Sequence, residues 1–138
     1  MPLGRRMSKD VAELIEADEV LAGTYRDRLA EATEAEKALR AAQEADPSDA
    51  GPRAEAVAFD EALTAALLAA EAAERVAAGH RTYAAPGADA GARRAAEIAL
   101  RKAKARPAVR PWTAEVDRLR TAREAHRLSF RTAPAVAR

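Results

Sequence analysis

Two histidines, His80 and His126, are the side chains of this sequence best suited to proton transfer near neutral pH. A catalytic or metal site at either one would need further ligands or an activating partner at a fixed spacing. Neither histidine has a neighbouring His or Cys, and the 138-residue chain contains no cysteine. The sequence therefore predicts no catalytic residue and no metal-binding residue.

Carboxylates are plentiful, and Asp27, Glu31 and Glu34 fall on one side of a predicted helix. A di-metal site in a helical bundle would need a Glu-x-x-His motif, which the sequence lacks. Gly-rich phosphate loops, dinucleotide-binding turns and nucleophile elbows are also missing. We therefore predict that the protein is not an enzyme and uses no cofactor.

The distribution of charge is the feature that suggests a function. Residues 1–80 carry 17 acidic and 9 basic side chains, whereas residues 81–138 carry 5 acidic and 14 basic ones. The overall charge of +1 therefore combines one part at −8 with another at +9. Such segregation predicts that the basic part meets an anionic partner. This partner could be nucleic acid, another protein or the acidic part of a second copy.

The basic side chains cluster most densely just after residue 91. The candidates for binding an anionic partner are Arg93, Arg94, Arg101, Lys102, Lys104, Arg106 and Arg110. If they contacted phosphates, binding would weaken steeply with added salt. No helix-turn-helix, zinc finger or aromatic stacking surface accompanies them, so the sequence favours non-specific over sequence-specific nucleic-acid binding.

Trp112 is the only tryptophan and lies between Pro111 and Thr113. It could pack on Val116 as a hydrophobic staple at the start of a helix. It could also be an exposed interface anchor, because Trp and Arg dominate binding hot spots. The two roles are compatible, and Trp112 is the candidate interface anchor.

Composition indicates that long helices position these side chains. Alanine supplies 40 residues, whereas Leu, Ile, Val and Phe together supply only 22. Alanine has the highest helix propensity but buries little apolar area, so helices should form readily around a thin core. We therefore expect self-association rather than a monomer with a thick core.

The first predicted helix lies in the acidic part, residues 1–80. Asp10 and Glu13 have the spacing of a capping box at its start. Helical periodicity then continues for roughly 35 residues to Asp46, and Gly23 is tolerable inside so long a helix. The acids along it are explained most simply as a solvated surface, or alternatively as a negative arm that docks on a basic partner.

A second helix is predicted from Pro52 to Ala78, because residues 47–52 form the strongest turn signal and Gly79 is a suitable C-terminal stop. The two helices should pack as an antiparallel, coiled-coil-like hairpin. The predicted seam of the second helix consists largely of alanine and contains Phe59, Leu63, Ala66, Ala70, Ala73 and Ala77.

Residues 81–91 form a hinge by composition, and residues 92–138 are predicted to form a basic helical module. Its first helix covers 92–105, and its second begins with Thr113 as the N-cap. Two prolines within five residues predict an extended connector between these helices. Residues 132–138 should be a frayed tail.

The longest strongly apolar run, Ala62–Ala70, is too short for a membrane span, and no signal peptide is recognisable. We therefore expect a cytoplasmic protein, or one within an assembly built in the cytoplasm, and do not expect a membrane partner.

Taken as a whole, the sequence predicts an all-α protein, with a long Ala-rich hairpin followed by two shorter basic helices. The expected function is that of a non-enzymatic structural or adaptor protein that self-associates or docks in a larger assembly. The expected partner is a protein, first of all a second copy of the chain. The layout is similar in general terms to that of phage scaffolding or connector proteins, an analogy that no motif carries. The alternative is a small accessory protein that binds nucleic acid non-specifically through its basic half.

Overall fold

The structure is a computed structural model that describes residues 7–46 and 52–136, with side chains described as far as Phe130. Within these residues the chain forms five α-helices and no strand, which confirms the all-α prediction. None of these helices is both long enough and apolar enough to cross a membrane. The helices are α1 Lys9–Ala22, α2 Tyr25–Ala45, α3 Arg53–Ala78, α4 Ala90–Ala103 and α5 Arg110–Val136.

The single long helix predicted before Asp46 is two helices in the structure. α1 ends at Gly23, whose N–H donates to Glu19 O at 3.0 Å. The Thr24 hydroxyl then donates to Leu21 O at 2.7 Å, which satisfies a carbonyl that a continuous helix would use. The prediction of an unbroken arm is therefore wrong, because the hydrogen bonds of Thr24 to the Leu21 carbonyl interrupt the helical pattern between α1 and α2.

The start of α1 also differs from the prediction. The N-cap is Ser8, whose Oγ accepts a hydrogen bond from Val11 N at 3.1 Å. Asp10 lies inside the first turn, where its negative charge interacts favourably with the positive end of the helix dipole. The capping box of Asp10 and Glu13 is therefore not formed, since the helix already begins at Lys9 with Ser8 as its N-cap.

α3 is the central helix, and α1, α2 and α5 all pack against it. α2 and α3 form the hairpin expected from the sequence, although the predicted turn at residues 47–51 lies outside the described residues. Of the predicted seam residues, Phe59, Leu63, Ala66, Ala70 and Ala73 are buried. Ala77 is only half-buried and packs in a second cluster, with Ala78, Leu100, Ala103 and Val109.

α5 lies antiparallel along α3, as its side-chain contacts show. Thr113 near its start bonds to Glu74, whereas His126 near its end bonds to Ala56. The His126 ring also packs edge-on against Phe59, with a centroid distance of 4.8 Å. Because a carbonyl can only accept, His126 Nε2 donates to Ala56 O at 2.8 Å, and this histidine is a packing residue of the bundle.

The basic module differs from the prediction in its boundaries. α4 covers 90–103 rather than 92–105, with the Asp89 carboxylate as its N-cap at 2.8 Å from Ala92 N. α5 begins at Arg110, so Trp112 lies inside a helix and not in an extended connector. Pro111 is accommodated because the first turn of a helix needs no N–H donor.

Two details of α5 follow from this earlier start. Thr113 is not the N-cap, and its hydroxyl donates instead to Glu74 Oε2 at 2.6 Å. The helix also continues to Val136, beyond residue 132, where we predicted a frayed tail.

Candidate docking surface

α1 is fastened to the end of α3 by a group of three polar side chains. The Asp18 carboxylate accepts hydrogen bonds from Arg75 Nε at 2.8 Å, Arg75 Nη2 at 3.0 Å and Tyr83 Oη at 2.7 Å. Burial alone would raise the pKa of Asp18, but these hydrogen bonds outweigh it and lower the pKa. Burial and the neighbouring carboxylate both raise the pKa of Tyr83. The group thus sets which side of α1 faces solvent.

The basic side chains of α5 are largely satisfied within the molecule. Arg120 Nη2 lies 2.7 Å from Glu71 Oε2, and Arg127 Nε lies 2.7 Å from Asp60 Oδ2. The hydrogen bond from Arg127 lowers the pKa of Asp60 despite its partial burial. Part of the charge segregation in the sequence therefore serves to pair α5 with α3.

The seven predicted anion-binding residues are all exposed, but they differ in their partners. Arg93 Nη1 donates to Ala88 O, and Arg106 Nη2 donates to Ala78 O at the C-terminal end of α3. The positive charge of Arg106 thereby interacts favourably with the negative end of the α3 helix dipole. Within the part of the chain that the structure describes, no hydrogen bond or ion pair satisfies the other five: Arg94, Arg101, Lys102, Lys104 and Arg110.

α4 brings part of this set together on its solvent side. Arg94, Ile98, Arg101 and Lys102 are three or four residues apart and share one exposed face, which we call the basic face. Ile98 lies at its centre and is 39 % exposed. α4 packs mainly on the 3-10 turn His80–Thr82 and lightly on α3, so this face meets no other helix among the described residues.

Two basic residues of this region were missed by sequence reasoning. His80 and Arg81 line a cleft of about 510 Å³ together with Lys102 and Arg106. They lie more than twenty residues earlier in the chain, and only folding of the 3-10 turn under α4 brings them close. In the sequence, only Gly79 indicated that the chain turns at this point. In the structure Gly79 ends α3 with a φ of 101°, and the chain then turns toward α4.

Trp112, the candidate interface anchor, packs inside the fold. Its ring meets Tyr25 edge-on with a centroid distance of 5.2 Å, and it packs against the main core cluster. The Tyr25 hydroxyl donates to Glu115 on the next turn of α5. Burial, together with the hydrogen bond to that carboxylate, raises the pKa of Tyr25 to about 12. Trp112 therefore joins α5 to the start of α2 and is only half-exposed.

The site consists of exposed charged side chains on helix faces. Among the described residues, no group of three or more His, Asp or Glu side chains is placed to hold a metal ion. Comparison with known protein families, curated proteins and solved structures finds no match to this chain.

Proposed function

We propose that this chain is a non-enzymatic structural or adaptor protein that self-associates through the charged helix faces that its fold leaves exposed. The observation that carries the proposal is the unequal pairing of the cations. Arg120 and Arg127 on α5 pair with acids of α3, whereas Arg94, Arg101 and Lys102 on α4 have no acidic partner in the described residues. These cations form no ion pair among the described residues, not even with Glu97 on the same helix, so they are available to the acids of another copy.

The composition of the acidic part supports the same proposal. α1 carries five acidic side chains and one basic one, and among the described residues only Asp18 of these acids forms an ion pair. One molecule thus presents unlike charged surfaces at different places. Contacts between unlike surfaces either close reciprocally in a pair of copies or propagate into a ring or filament.

Sedimentation velocity of the full chain in low and high salt, with and without random-sequence duplex DNA, tests the proposal. We expect oligomers at low salt without DNA, which shift toward the 14.7-kDa monomer as salt screens the charges. A chain that stays a monomer at every salt and protein concentration would overturn the proposal.

Non-specific nucleic-acid binding is the second candidate, favoured by the five exposed cations on and after α4 that lack an acidic partner. If all five contacted phosphates, the logarithm of the binding constant should fall with the logarithm of salt at a slope of about −4.5. The aromatic rings of Tyr25 and Trp112 pack on each other and offer no surface for stacking bases. Co-sedimentation of DNA with the monomer, without oligomers, would favour this candidate.

A further inference from the structure

A second unpartnered helix face lies on α1, and it is acidic where the face on α4 is basic. Its members recur three or four residues apart, so they share one side of the helix. All are exposed, and Leu14, Val20 and Leu21 are 37, 70 and 36 % exposed. We call this the acidic face; it consists of Asp10, Glu13, Leu14, Ala17, Val20 and Leu21.

The acidic and basic faces match in length and composition. α1 and α4 each have 14 residues. Each face combines charges of one sign with large apolar side chains. These side chains are Ile98 on α4 and Leu14, Val20 and Leu21 on α1. Exposed apolar groups beside charges are the arrangement of a helix–helix contact, in which apolar burial adds affinity and charge sets the partner.

We propose that the basic face of one copy binds the acidic face of a second copy, with α4 and α1 packed antiparallel. This assignment rests on the proposed self-association and names the surfaces that perform it. Charge complementarity identifies a second copy of the chain as the partner of each face, because α1 has a net charge of −4 and α4 has a net charge of +3.

The positions of the charges along the helices indicate the antiparallel direction. Asp10 and Glu13 lie in the first half of α1, whereas Arg101 and Lys102 lie in the last turn of α4. Antiparallel packing places these two groups opposite each other and brings Ile98 toward the apolar middle of α1. A parallel arrangement would instead set the two acids beside Arg94, the single cation that the basic face has in the first half of α4.

The same contact does not form within one molecule. α1 and α4 of one copy border a common cleft of about 420 Å³, lined by Met7 and Val11 on one side and by Ala95 and Ala99 on the other. Val11 lies about a third of a turn from the acidic face around α1, and Ala95 and Ala99 lie about a quarter of a turn from the basic face around α4. Among the described residues no ion pair joins α1 to α4, so both charged faces remain open to a second copy.

Two charge-reversed full-length variants test the assignment. Arg94→Glu/Arg101→Glu reverses the basic face, and Asp10→Arg/Glu13→Arg reverses the acidic face. Sedimentation velocity at low salt should show association weakened at least about tenfold in each variant alone. Circular dichroism should show at most a small loss of helicity in both, because all four side chains are exposed and unpaired in the described residues and only the helix-dipole interactions of Asp10 and Arg101 are reversed.

A matched control is available on α2. Asp27→Arg/Glu44→Arg makes the same change in net charge at two exposed positions, and Asp27 lies in the first turn of its helix as Asp10 does. This control should associate as the unaltered chain does, within about threefold. Equal loss in the control and in the acidic-face variant would overturn the assignment, because net charge alone would then explain the loss.

Mixing the two reversed variants in equal amounts is the decisive measurement. In the mixture the two reversed faces attract each other, and the unaltered acidic face of one variant meets the unaltered basic face of the other, so association should recover within about threefold. No recovery, or loss in the basic-face variant alone, overturns the assignment while self-association stands. An unaltered chain that never associates overturns the proposed function itself.

Discussion

The carboxylate of Asp18 forms a bidentate ion pair with the guanidinium of Arg75, which lies 57 residues later in the sequence. This pair holds the acidic helix α1 on the central helix α3, and Tyr83 adds a third hydrogen bond. Asp18 is thereby turned toward α3. Because α1 is a rigid helix, this contact also fixes the direction in which its other acidic side chains point. The orientation of the acidic face thus depends on a contact outside that face.

Replacement of Asp18 by Asn should lower the free energy of unfolding by about 1–2 kcal/mol at neutral pH. Hydrogen bonds to charged groups contribute about 1.5–3 kcal/mol, and the partial exposure of Arg75 reduces the effect. Urea unfolding measures the change. Glu13→Gln, an exposed position without a partner in the described residues, should change stability by less than about 0.5 kcal/mol.

The same pair predicts a loss of stability in acid. The folded-state pKa of Asp18 lies below its ordinary value of 3.8. Its contribution is therefore present above that value and disappears as the pH falls through the folded-state pKa. The difference between the unaltered chain and Asp18→Asn should shrink accordingly in urea titrations below about pH 4. A difference that stays constant with pH would contradict the role of the ionised carboxylate.

Tyr25 predicts a loss of stability at high pH, because folding raises its pKa from 10.0 to about 12. The contribution of the neutral hydroxyl is complete below the ordinary value and is lost as the pH rises through the folded value. Tyr25→Phe should cost about 1 kcal/mol at about pH 8, and much less at about pH 12. Denaturant unfolding of both proteins across this range measures the effect, and parallel curves would contradict it.

Trp112→Ala should destabilise the fold by about 2–3 kcal/mol, because the half-buried ring packs on Tyr25 and the core. Thermal unfolding in high salt, where the monomer is expected, measures this effect apart from association. Val57→Ala removes an exposed apolar side chain from α3 and should be nearly neutral. Unchanged stability with weakened association would instead support the predicted role of Trp112 as an interface anchor.

Gly79→Ala should cost about 1–3 kcal/mol, because Gly79 has φ 101° and ψ 168°, a conformation that is essentially restricted to glycine. Gly91→Ala is the matched control, since Gly91 lies inside α4 and an added Cβ would meet only ordinary contacts. That change should be neutral or stabilise by up to about 1 kcal/mol. Equal effects in thermal unfolding would show that backbone strain is not the cause.

Local signals in the sequence were sufficient to predict that the chain is helical and where several of its helices lie. The helix ending at Gly79 was predicted almost to the residue, because periodicity and a C-terminal glycine act within a few residues of one another. The break at Gly23 was missed, since glycine alone does not distinguish a tolerated residue from a helix end. The start of α5 at Arg110 was missed because the prolines were interpreted as helix breakers, although Pro111 fits the first turn of a helix.

The charge segregation and the helical periodicity are determined by the sequence alone, because they depend only on residue type and order. The tertiary structure decided which charges are satisfied. Arg127 meets Asp60 across 67 residues, whereas Arg94 meets no acid among the described residues, although both belong to the same basic half. An ion pair requires atoms within a few ångströms, and only the packing of α5 on α3, with α4 outside the bundle, sets those distances.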